Sequence, residues 1–77
     1  MSAIRVIIAD DQPIVRRGIA LLLQREAGIE MVAENGDGSE TVTAAKRLQP
    51  DVVLMDIGMP GMSGLDATRR INELFPS

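Results

Sequence analysis

Three short apolar runs alternate with three segments in which apolar residues recur at helical spacing, and this order constrains the fold more than any other feature. Ile4 to Ala9 reads I-R-V-I-I-A, β-branched and nearly continuous, as suits a strand buried on both faces of a parallel sheet. Asp10 and Asp11 end it, and Pro13 stands where a first helical turn tolerates proline. Val15, Ile19, Leu22 and Leu23, with Ile14 beside them, predict the buried stripe of a first helix that Gly28 closes. A second strand is expected over Ile29 to Glu34. Asp37 and Ser39 are both suitable caps for a second helix, and Glu40 follows Asp37 at capping-box spacing. Val42, Ala45 and Leu48 mark its inner face, and Pro50 stops it. Asp51 to Asp56 forms the third run, with V-V-L-M as its body. Pro60, Gly61 and Gly64 punctuate the next loop. Ser63 is placed to cap a third helix carrying Leu65, Thr68, Ile71 and Phe75 on one side, and Pro76 ends the pattern.

Strand–helix alternation of this kind predicts an α/β fold, a parallel sheet with helices on its faces. With right-handed crossovers and the first strand central, the order is 2-1-3. Ligands of open α/β sheets bind beyond the carboxyl ends of the strands where the order reverses, here between strands 1 and 3. Asp10, Asp11 and Asp56 end those two strands, so the topology is expected to gather three carboxylates that are far apart in sequence. Asp37, Asp51 and Asp66 lie at helix or strand starts and read as structural. An acidic residue at a single strand end is more often a cap or a solvated loop residue. The predicted convergence of all three tips the balance toward a site.

Composition narrows the chemistry. The 77 residues include no cysteine and no histidine, which removes thiolate chemistry, disulfides and the commonest general base and zinc ligand. Absent cysteine fits a reducing cytoplasm. The net charge is −3 without a basic cluster, so nucleic-acid contact by this segment is not expected. No apolar run is long enough to span a bilayer, and no signal peptide precedes the first strand. Three clustered carboxylates repel one another, by ~4 kcal/mol per pair at about 4 Å in an effective dielectric near 20. A proton, a basic neighbour or a metal must offset that. An all-oxygen set favours a hard cation such as Mg²⁺, which keeps waters and phosphate oxygens among its ligands. Aspartate also serves as a nucleophile toward phosphorus. Met55, Met59 and Met62 near the acidic strand end read as packing residues, since thioethers prefer soft ions. The pairs Arg16–Arg17 and Arg69–Arg70 read as solvated helix faces, with Arg16 or Arg17 able to meet an acidic partner.

The stretches I-R-V-I-I-A-D-D-Q-P-I-V-R-R-G and P-D-V-V-L-M-D-I-G-M-P-G-M-S-G closely resemble response-regulator receiver domains of two-component systems, in the manner of the NarL/FixJ subfamily. The resemblance runs from Ile4 to about Leu74. It implies a flavodoxin-like sheet, with Asp56 as the phosphoacceptor loaded from a sensor histidine kinase. It implies Mg²⁺ held directly by Asp11 and Asp56, through a water by Asp10, and by the backbone carbonyl of Gly58. Such a module is not itself an enzyme. It controls a helix-turn-helix output domain that binds DNA, and phosphorylation governs dimerisation. A full receiver has five strands, so residues 1–77 read as its N-terminal part, truncated to three strands without an output domain. The Ser/Thr of strand 4, the Lys of strand 5 and the switch aromatic of the family have no counterpart here, and Lys46 on the second helix does not replace that lysine. Poor phosphorylation of the isolated chain and self-association through an exposed third strand are therefore expected. The alternative is a phosphorylation-incompetent interaction or dimerisation fragment. A phosphohydrolase reading is disfavoured because Gly58 stands where that class carries a second acid.

Overall fold

The computed structural model describes residues 3–56 and 64–74. The elements follow in the order β1 (Ile4–Ala9), α1 (Pro13–Gln24), β2 (Ile29–Asn35), α2 (Gly38–Leu48), β3 (Val52–Met55) and α3 (Gly64–Leu74). The three strands are parallel in the order β2-β1-β3. The expected 2-1-3 sheet is thus the one observed. On its central strand Val6, Ile7, Ile8 and Ala9 are all buried.

Successive side chains of β1 serve opposite faces. Val6 and Ile8 pack with Ala20 of α1, joined by Ile19, Leu23, Ile29 and Met31. Ile7 packs on the other face with Ala44 and Ala45 of α2, joined by Val32, Ala33, Leu48, Val53 and Ile71. Full burial of Ile7 and of Ile8 stabilises the fold by roughly 1.5–3 kcal/mol each. The β1–β2 register shifts between Val6 and Ile7, where Met31 pairs with Val6 and Ala33 with Ile7. This irregularity accommodates one extra residue on β2.

Several boundaries and faces differ from the sequence reading. α1 ends at Gln24, not at Gly28. Gly28 instead adopts φ +116° on the way into β2, where its carbonyl accepts from Ile4 N at 2.7 Å. The core side of α1 is Ile19, Ala20 and Leu23, while Ile14, Val15 and Leu22 are exposed. The buried face is therefore turned from the expected stripe, keeping Ile19 and Leu23, losing Val15 and Leu22, and gaining Ala20. The same holds on α2, where Thr41, Ala44 and Ala45 are buried and Val42 is only half-buried. β3 is bounded by Asp51 and Asp56, which lie just outside the strand yet keep its ladder: Asp51 N donates to Arg5 O at 2.8 Å and Asp56 N to Ala9 O at 2.9 Å. On α3, Thr68 is exposed and Ile71 half-buried. The Ser63 cap and Phe75 lie outside the described residues. Among the described residues, no helix is long and apolar enough to cross a membrane.

Candidate functional site

β1 and β3 are neighbours, and Ala9 pairs with Met55. The next residue of each strand is an aspartate, so the parallel register delivers Asp10 and Asp56 to the same end of the sheet. Both backbones are pinned there. Asp10 N donates to Asn35 O at 3.0 Å, and Asp56 N donates to Ala9 O at 2.9 Å. Asp11 enters from the turn that leads into α1. One carboxylate oxygen from each of Asp10, Asp11 and Asp56 lies within 4.8 Å of the others. Asp10 and Asp56 are half-buried, and Asp11 is exposed. A cleft of about 480 Å³ opens beside them, lined by Ile8, Ala9, Asp10, Gln12, Ile19, Leu54, Met55 and Asp56. Gly58 lies outside the described residues.

The turn between β1 and α1 is held by side chains as well as backbone. Gln12 is the N-cap of α1 and makes no capping bond with its own side chain. Asp10 Oδ1 accepts from Gln12 N at 2.8 Å, which fixes one of its two carboxylate oxygens. Arg16 Nη1 donates to the Asp10 carbonyl at 2.7 Å. Arg16 was read from sequence as part of a solvated helix face, and here the structure corrects that reading. Its side chain is mostly buried and lies against Asp10 and Glu34. The two arginines do meet an acidic partner, since both reach Glu34. A charged residue on a helix carries no sequence mark of inward packing, so periodicity alone does not find Arg16.

Asp37 and Asp51 are engaged in structure. Asp37 caps α2 through Glu40 N at 2.7 Å, and Asp51 Oδ2 accepts from Arg5 N at 2.8 Å. What remains at the switch point is an all-oxygen donor set in a chain without thiolate or imidazole. Such a set fits a hard divalent cation. The repulsion among the carboxylates falls when a cation binds.

Comparison with known proteins follows the same line. A family model described as "Response regulator receiver domain" matches residues 6–77. The nitrate/nitrite response regulator protein NarP of Escherichia coli is 52% identical over 62 residues, covering 80% of this chain and 29% of NarP. The transcriptional regulatory protein LiaR of Bacillus subtilis is 48% identical over 68 residues, covering 88% of this chain and 32% of LiaR. The crystal structure of the response regulator domain of Thermotoga maritima CheB superposes with a TM-score of 0.93 at 33% identity, over 97% of this chain and 56% of that one. The chain therefore spans about a third of these curated relatives and just over half of that solved domain.

Proposed function

The chain belongs to the response regulator receiver domain family, and from that premise we propose that it is a phosphoacceptor module in which Asp56 takes a phosphoryl group from a phosphohistidine of a sensor histidine kinase. The observation that carries this reading is the gathering of Asp10, Asp11 and Asp56 carboxylate oxygens within 4.8 Å at the carboxyl ends of β1 and β3. The acceptor role falls to Asp56 through the receiver-family resemblance of the stretch V-V-L-M-D-I-G-M-P-G-M-S-G, and its backbone anchor to β1 and its place in the lining of the cleft are compatible with that role. In the transfer, an Asp56 oxygen forms a bond to phosphorus as the donor's P–N bond breaks, and the released imidazole takes up a proton. Such transfer needs positioning and charge neutralisation more than covalent assistance, so a site without histidine suffices.

Asp11 and Asp56 would hold Mg²⁺ directly. Asp10, with one oxygen already accepting the Gln12 N–H, would act mainly through a water, and the Gly58 carbonyl would add a ligand. Bound there, the cation neutralises charge on the incoming phosphoryl oxygens. Similarity to the nitrate/nitrite response regulator protein NarP and the transcriptional regulatory protein LiaR supports a transcriptional regulator as the longer protein to which such a module belongs, and we infer that it is cytoplasmic and binds DNA through an output domain. In that setting the phosphoryl group controls the output, and this acidic segment does not touch the DNA.

The cation role is tested by titrating Mg²⁺ into the chain and into Asp11→Asn, which removes one anionic ligand at constant size. Calorimetry is expected to show affinity reduced by at least the ~10-fold typical of losing a supporting partner. Equal affinities would remove Asp11 from the ligand set. A second reading, self-association, rests on a different observation. β3 is an edge strand of the described sheet, with Val52 and Leu54 40% and 41% exposed. Such an edge templates pairing with another chain.

A further inference from the structure

Arg16 and Arg17 are neighbours on α1 and share Glu34, yet they differ in what else they touch. Arg17 Nη1 bonds Glu34 Oε2. Arg16 Nε lies 3.7 Å from Glu34 Oε1, while its Nη1 donates to the Asp10 carbonyl at 2.7 Å. The Arg16 side chain is 20% exposed against 54% for Arg17. Its Nε is buried and makes no hydrogen bond. Burying a guanidinium with one donor unsatisfied costs free energy. A helix face built only for solubility has no reason to bear that cost.

We infer that Arg16 is a positioning residue for the carboxylate cluster, acting through the Asp10–Asp11 peptide and not through contact with a cation or a phosphoryl group. The inference rests on the reading of Asp10, Asp11 and Asp56 as a cation site. The Asp10 carbonyl and the Asp11 nitrogen belong to one planar unit. Holding the oxygen fixes the rotation of that plane, and with it the direction in which Asp11 leaves the turn. Asp10 is secured at its N–H by Asn35 O, at its carboxylate by Gln12 N and at its carbonyl by Arg16. Asp11 is exposed, so the direction of its carboxylate follows chiefly from the peptide that precedes it. Glu34, paired with Arg17, holds the Nε side of the Arg16 guanidinium in place. Groups that orient metal ligands in this way typically account for 10–100-fold in metal affinity.

The sign of the effect separates positioning from plain electrostatics. A guanidinium near the cluster repels a cation, so if Arg16 mattered only as charge, its removal would tighten binding. Mg²⁺ is titrated into the wild-type chain, Arg16→Met, Arg17→Met and Asp11→Asn, with affinity read from amide shifts by NMR. Arg16→Met and Arg17→Met each remove one positive charge from a Glu34 partner, and only the first loses the bond to the Asp10 carbonyl. Arg16→Met is expected to bind about 10-fold more weakly or worse. It is also expected to shift the Asp11 amide nitrogen in the cation-free protein, because a hydrogen bond at a carbonyl polarises the nitrogen of the same peptide. Arg17→Met is expected to leave that nitrogen in place, with affinity unchanged or tighter. If Arg16→Met melts below the titration temperature, Arg16→Lys carries the test. It keeps the charge but loses the fork that spans the carbonyl and Glu34, and it too is expected to bind more weakly. Unchanged or tighter binding by the Arg16 variant, with Asp11→Asn weakened, overturns the role of Arg16 alone. Asp11→Asn binding like wild type removes Asp11 from the ligand set and with it the reading on which this inference rests.

Discussion

Asp37 has an extended backbone, φ −149° and ψ 166°, and its side chain accepts from Glu40 N at the start of α2. Its carbonyl also accepts from Thr41 N and from the fully buried Thr41 Oγ1. Asp37→Ala removes only the side-chain cap and is expected to lower stability by about 1 kcal/mol. Denaturant unfolding of the two proteins measures this, and an unchanged midpoint would mean that water replaces the cap without loss. Asp37 was one of two caps legible in the sequence, beside Ser39, because cap chemistry depends on residue type and local spacing, and the structure places Ser39 inside the helix. Ala20 and Arg16 were not legible. Ala20 is buried against Val6 and Ile8 of β1, and Arg16 is drawn inward by a carbonyl six positions earlier and by a carboxylate on β2. Neither contact leaves a mark in the apolar pattern.

At the scale of elements, strand–helix alternation made a parallel sheet readable, and the order 2-1-3 followed once β1 was taken as central. The apolar pattern alone does not choose the central strand, since V-V-L-M of β3 is as continuous as the run of β1 and yet lies at the edge. The ends of elements were less readable. α1 stops at Gln24 with Arg25 in the αR region as C-cap, short of the glycine that marks the turn. α2 ends at Leu48 with Gln49, a non-glycine residue at φ 50°, as its C-cap, and the Arg5 side chain donates to the Leu48 and Gln49 carbonyls there. A tertiary cap of this kind, from the second residue of β1, cannot be seen in the local sequence. β3 carries the prediction at this scale. Val52→Lys places a charge on the edge strand, a substitution that blocks edge pairing. Light scattering is expected to show self-association of the wild-type chain and less of it in the variant. Equal molar masses for both at high concentration would show that the β3 edge does not drive assembly.

For the molecule as a whole, the topology makes the site. Asp10 and Asp56 meet because β1 and β3 are adjacent and in register, and Asp11 follows because α1 starts beside them. The apolar body of the sheet and its acidic end were both legible, since strand direction and strand order suffice to place strand ends. The Gly58 carbonyl and the Ser63 cap lie outside the described residues, and the burial of the guanidinium beneath the acidic turn depends on side-chain packing that no strand order conveys. The central claim is that this acidic end is a cation-dependent phosphoacceptor with Asp56 as its nucleophile. The most direct measurement is to incubate the chain and Asp56→Asn with a small phosphodonor, with and without Mg²⁺, and to locate the adduct by peptide mass spectrometry after chemical trapping. A low, Mg²⁺-dependent phosphoryl adduct is expected, confined to the peptide containing Asp56 and missing from Asp56→Asn. Labelling that is equal in the two proteins, or that persists undiminished without Mg²⁺, would contradict the central claim.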